Sequence, residues 1–224
     1  MRKWTWITLI TVSLCLIIGA WSNKLPIGLT EVLGFITGAI CVLLIVEENI
    51  WNFPIGIANN IFFIILFISA GLYGDMGLQV IYIALAFHGW YKWLCGGTNR
   101  TSLQVSKTSI KMWIILILVG TVSTWILTLY LARIHDTAPF LDALTTILSL
   151  IAQYLLNLKR IENWWIWITA DVIYIGLYMY KGLYLTSVLY AIFILMCIAG
   201  LRAWHRSLVI PQAPTLPLST EELS

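Results

Sequence analysis

Trp164, Trp167 and Asp171 are the residues of this chain best placed to do chemistry. Their spacing, i, i+3, i+7, puts all three on one face of a helix. The segment around them is apolar. An acid seven residues into such a segment costs on the order of 2.5–3.5 kcal/mol on insertion scales, so it must face protein or water rather than lipid. Two indoles above a carboxylate make an aromatic wall with an anion at its base. Such a surface suits a flat, cationic, hydroxylated ligand. Indole faces attract cations by about 2 kcal/mol when desolvated, and the carboxylate can balance a positive ring or accept hydrogen bonds from hydroxyls. Tryptophans near the ends of membrane spans also form interfacial belts; the acid beneath this pair favours the ligand reading.

The element that presents this triad occurs twice. Asn52 matches Asn163, Gly71-Leu72-Tyr73 matches Gly182-Leu183-Tyr184, Gly89 and Trp93 match Gly200 and Trp204, and the acid Glu31 matches Asp142, all 111 positions apart. The first copy places Asn60 where the second has Asp171, Gly56 where it has Trp167, and Phe53 where it has Trp164. A large residue in one half and glycine in the other leaves room for a ligand lying off-centre. Asn59 and Asn60 put two adjacent amides deep in an apolar segment. Gln79 matches Tyr190, and Gln153, Tyr154 and Asn157 add polar atoms nearby. Each such residue can also bond a neighbouring helix, at about 0.6 kcal/mol on average. The candidate substrate-binding set is therefore Trp164, Trp167, Asp171, Asn59, Asn60, Gln79, Tyr190 and Gln153.

The surrounding chain is that of an integral membrane protein. Sixty per cent of the 224 residues are hydrophobic, ten per cent are charged, and mean hydropathy is +0.90. A soluble domain carries about twice that share of charge. Eight spans are expected, near 4–21, 30–47, 51–70, 76–94, 110–132, 138–157, 163–180 and 184–203. They give five regions: an extra N-terminal helix with its loop (1–29), a three-helix repeat (30–94), a loop with a connector helix (95–137), a second three-helix repeat (138–205), and a Pro-, Thr- and Glu-rich tail (206–224) expected to be disordered. Four spans separate corresponding helices, so the repeats should lie parallel, about an axis along the membrane normal.

With the N-terminus in the cytoplasm, ten Lys and Arg residues fall on inside segments and three (Lys24, Arg133, Lys181) outside. That bias places both termini in the cytoplasm. Met1-Arg2-Lys3 followed by an apolar run has the look of a signal peptide, but Ala20-Trp21-Ser22 is a poor cleavage site, so an uncleaved helix is expected. Cys15, Cys41, Cys95 and Cys197 occur singly, and His88, His135 and His205 have no metal spacing. No metal, cofactor or nucleic-acid partner is expected, and no catalytic residue. The absence of a phosphate loop leaves no engine for ATP-driven transport, and a single deep acid offers little for ion coupling. A facilitated path is the simplest transporter. A duplicated channel or scaffold is the reading from a different class.

The run Asn163-Trp164…Trp167…Asp171 resembles the Trp-x-x-Trp-x-x-x-Asn/Asp signature of the PnuC-type vitamin transporters, whose best-known members take up nicotinamide riboside. The resemblance extends through Gly89-Trp90-Tyr91-Lys92-Trp93 and Gly182-Leu183-Tyr184 and covers about residues 31–205. It implies seven core helices in a three-one-three layout similar to the SWEET sugar transporters, with the first span an appended helix. It also implies a homotrimer in the bacterial inner membrane, and facilitated diffusion drawn inward by phosphorylation of the vitamin. The signature carries over to Trp164, Trp167 and Asp171. Similar proteins carry thiamine or riboflavin, which stand as alternative substrates.

Overall fold

The computed structural model describes residues 29–69, 73–180 and 184–209. These form seven helices: α1 (Leu29–Val46), α2 (Asn52–Ser69), α3 (Tyr73–Cys95), α4 (Ile110–Arg133), α5 (Pro139–Asn157), α6 (Asn163–Tyr180) and α7 (Tyr184–Val209). They match seven of the expected spans to within a few residues, except that α7 runs past the expected span end at 203, to Val209. The expected first span, the motifs at 71–72 and 182–183, and the tail beyond 209 lie outside the described residues. Three helical stretches, Ile110–Arg133, Pro139–Asn157 and Tyr190–Val209, are long and apolar enough to cross a membrane, and Ile36–Val46 and Asn52–Ile68 are shorter apolar helices. Exposed Ile114, Leu118, Val122 and Trp125 on α4 show why: this face is apolar and uncovered, as lipid contact requires.

The chain divides into two compact units, residues 1–86 and 87–224. In the first, α1 packs on α2. Close approach depends on Gly34, where a Cβ would stand 2.4 Å from the Phe63 ring. The Asn59 amide ties the pair, donating to the Gly34 carbonyl at 3.2 Å and to the Thr37 hydroxyl. In the second unit, α5 packs against α4 and α6, and α6 against α7. Gly120 lets α4 approach Ile151 of α5, since a Cβ there would lie 2.9 Å from its side chain.

The 111-residue register recurs in the turns that open α2 and α6. Asn49 N donates to the Leu44 carbonyl at 2.8 Å, and Arg160 N to the Leu155 carbonyl at 2.9 Å. Glu48 and Lys159 both take positive φ, 54° and 46°. The buried Asn52 amide donates to Asn49 O at 2.6 Å, and the buried Asn163 amide to Arg160 O at 2.6 Å. An asparagine at the helix start thus closes the turn in both copies, which accounts for the pair Asn52/Asn163 in the sequence.

The loop between α3 and α4 is strapped to the turn that opens α6. Ser106 N donates to Lys159 O at 3.0 Å, and Ile161 N returns to Ser106 O at 3.0 Å. Thr108 donates through N and Oγ1 to Glu162 Oε2, at 3.0 and 2.7 Å. Arg160 reaches Ser106 Oγ and the Lys107 carbonyl at 2.8 and 2.7 Å.

Candidate functional site

The turn just described sets where α6 begins, and so the rotation of every side chain along it. Trp164, one residue in, is 1 % exposed. Its indole meets the edge of Trp204 at 5.4 Å and 84°. Gly200 makes the space: a Cβ there would stand 2.4 Å from the six-membered ring of Trp164. Trp204 in turn meets Trp93, its own counterpart in the first copy, at 6.0 Å. Trp93 donates its indole N–H to Leu156 O at 3.2 Å and carries Lys159 Nζ 4.5 Å above its ring. Trp164 is thus the centre of an aromatic core, locked by packing. Its own indole N–H is buried without an acceptor among the described residues. The geometry explains Gly200 and Trp204, which sequence reading noted only as repeat markers.

Trp167 is half-buried and packs against the cluster of Ala152, Leu155 and Ile166. One turn on, Asp171 is 4 % exposed. Among the described residues its carboxylate accepts only from the Cys197 thiol, at 3.9 Å, and lies within electrostatic reach of Tyr190. A carboxylate has about four acceptor sites; a weak thiol donor leaves most of them open. No Lys or Arg is among its described partners.

The face carrying Trp167 and Asp171 continues to Tyr174 and Tyr178. At 100° per residue these four side chains fall within about 60° of arc. Tyr174 stacks on Tyr178 at 5.9 Å and meets Tyr190 of α7 at 4.7 Å; Tyr178 stacks on Tyr190 at 5.3 Å. Tyr178 and Tyr190 also share a side-chain hydrogen bond. Reading the triad as i, i+3, i+7 stopped short of the tyrosines; the signal was there, because i+10 and i+14 continue the same helical face.

Of the remaining candidates, Tyr190 joins this stripe. Gln153 donates to Asn157 Oδ1 at 3.1 Å, one turn along α5. In the first unit, the Asn59 amide is committed to α1. Asn60 and Gln79 are half-buried, and their amides make no hydrogen bond among the described residues. No group of three or more His, Cys, Asp or Glu side chains is placed to hold a metal among those residues.

A family model described as nicotinamide mononucleotide transporter matches residues 28–206. The chain belongs to this family. It is therefore a multi-pass membrane transporter by kinship as well as by composition. Among its relatives, the nicotinamide riboside transporter PnuC of Escherichia coli is 27 % identical over 208 residues, covering 79 % of this chain and 85 % of that protein. That of Haemophilus influenzae is 25 % identical, covering 91 % of each. The riboflavin/roseoflavin transporter RibM of Streptomyces davaonensis is 25 % identical, covering 78 % and 84 %. The fold matches the crystal structure of a vitamin B3 transporter, PnuC, with a TM-score of 0.70 at 19 % identity, covering 92 % of this chain and 91 % of the other.

Proposed function

We propose that this member of the nicotinamide mononucleotide transporter family carries nicotinamide riboside across the bacterial inner membrane. The observation that carries this reading is Asp171: a buried carboxylate with no cationic partner among the described residues, beside an indole and a column of phenols. Such a group is expensive to bury alone and is well matched by a pyridinium ring. The family description names the mononucleotide, whereas several relatives are named for the riboside. A phosphate would bring about two further negative charges toward an uncompensated acid, so electrostatics favours the riboside. Riboflavin is neutral and gains no charge attraction from Asp171. Thiamine, also flat and cationic, is the second reading that the same charge supports.

Asp171, Trp167, Tyr190 and Gln153 form the wall of the site in the second unit. Trp164 holds the wall from behind. Three-helix repeats on either side of a connector helix, α4, give the three-one-three layout, with the first span appended and both termini cytoplasmic. Three such chains make the transporter. Transport is facilitated diffusion, and phosphorylation of the vitamin inside the cell draws it inward.

Titration of purified protein with nicotinamide riboside, thiamine and riboflavin tests the substrate. Saturable binding of nicotinamide riboside at the lowest concentration is expected; riboflavin binding tighter than both cations overturns the reading. In proteoliposomes clamped near zero potential, labelled substrate should equilibrate and go no further. Accumulation driven by an imposed proton or sodium gradient would reveal a coupling site.

A further inference from the structure

We infer that the hydroxyls of Tyr174 and Tyr178, continued by that of Tyr190, form a second recognition element that reads the hydroxyl-bearing sugar of the substrate while Asp171 takes the cationic ring. This deepens the proposed function and rests on it.

The two copies of the unit supply an internal control. In the first unit the matching positions are Phe63 and Phe67, whose rings stack at 5.7 Å and 26°. Tyr174 and Tyr178 stack at 5.9 Å and 23°. The same ring pair is thus built twice, and the first copy builds it without hydroxyls. Packing therefore does not require them. A hydroxyl withdrawn from water without full pairing is a liability, so its presence needs another cause. The surroundings differ in the same sense. Phe63 presses onto Gly34, whereas the matching position in the second copy is the buried Thr145. Tyr174 instead lies 4.7 Å from Tyr190, which stands where the first copy has Gln79.

The polar atoms are not used up by one another. Tyr178 and Tyr190 share one hydrogen bond, while the Tyr174 hydroxyl makes none among the described residues. A phenol can both donate and accept, so the Tyr174 hydroxyl keeps this capacity for a ligand. The phenols begin one turn beyond Asp171 on the same face of α6, and Tyr190 and Cys197 bring α7 to the same stripe. A vicinal diol, which both donates and accepts, matches such a set. The ligand class is a nucleoside with free ribose hydroxyls, its cationic base at Asp171 and its sugar toward Tyr178.

The test is the double variant Tyr174→Phe/Tyr178→Phe, which reproduces the Phe63/Phe67 stack and removes only the hydroxyls. Full-length protein in detergent is titrated with nicotinamide riboside and with 1-methylnicotinamide, which keeps the cationic carboxamide ring and lacks the sugar. Thermal unfolding verifies folding, and Tyr178→Phe alone serves if the double variant is unstable. The expected result is at least a tenfold loss of affinity for the riboside, with the methyl compound changed less than twofold. An unchanged riboside affinity, with binding still lost in Asp171→Asn, overturns the inference and leaves the transport reading standing. Equal losses for both ligands overturn it too, because the hydroxyls would then serve the ring and not the sugar. Failure of the unaltered protein to bind the riboside at all would reject the underlying function and this inference together.

Discussion

The matching faces of α2 and α6 have one backbone plan and two chemistries. α2 presents Gly56, Asn60, Phe63 and Phe67; α6 presents Trp167, Asp171, Tyr174 and Tyr178 at the matching positions. Both helices open on the same asparagine-closed turn, and both carry the same stacked ring pair. What differs is glycine against indole, amide against carboxylate, and phenyl against phenol. Duplication fixed the geometry, and divergence then concentrated charge and hydroxyls on one half.

The largest expected effect falls on the scaffold of the α6 face. Trp164→Ala should destabilise the protein by about 3–5 kcal/mol, the range for removing a large aromatic from a core, read as a fall in unfolding temperature in detergent. Gly200→Ala drives a methyl into the same indole and should cost about 1–3 kcal/mol by overpacking. If Trp164→Ala kept its stability and lost only affinity, Trp164 would be a ligand-facing wall and not a seat.

The comparison sharpens at the ligand. Asp171→Asn copies the α2 chemistry into α6. It should weaken nicotinamide riboside binding by about 2 kcal/mol, within the range of hydrogen bonds to charged groups, with stability little changed. Trp167→Ala removes the indole that the first copy also lacks at Gly56 and should weaken binding by about 1–3 kcal/mol, by analogy with base–aromatic stacking; calorimetric titration checks both. Smallest is the strap: Thr108→Val removes one of two bonds to Glu162 and should cost about 1 kcal/mol of stability without altering affinity. A change in affinity there would tie the strap to the substrate path.

Much of this was legible in the sequence because it is local or periodic. Span lengths follow from runs of apolar residues, and the 111-residue register from residues such as Asn52/Asn163 that do the same turn-closing job twice. Asp171 stood out because an acid in an apolar helix demands a reason. The rest is tertiary. The burial of Trp164 depends on Gly200, 36 positions away, and its spacing to Asp171 gave no sign of it. The pairing of Thr108 with Glu162 spans 54 residues and leaves no periodic trace. Asn59 read as an open amide because its partners, Gly34 and Thr37, sit on another helix. Tyr174 and Tyr178 lay on a readable face, but tyrosine in an apolar span passes for packing until Phe63 and Phe67 show that phenyl rings suffice.

The central claim is that the α6 face, and not either half equally, reads the substrate. Titrating nicotinamide riboside into three proteins tests it most directly: the unaltered chain, Asp171→Asn, and Asp171→Asn combined with Asn60→Asp, which moves the carboxylate to the matching position of α2. The account predicts a loss of about thirtyfold in the single variant, the equivalent of about 2 kcal/mol, and no recovery in the double variant, because α2 has neither the indole nor the phenols. Recovery of affinity in the double variant, or no loss in the single one, would contradict it.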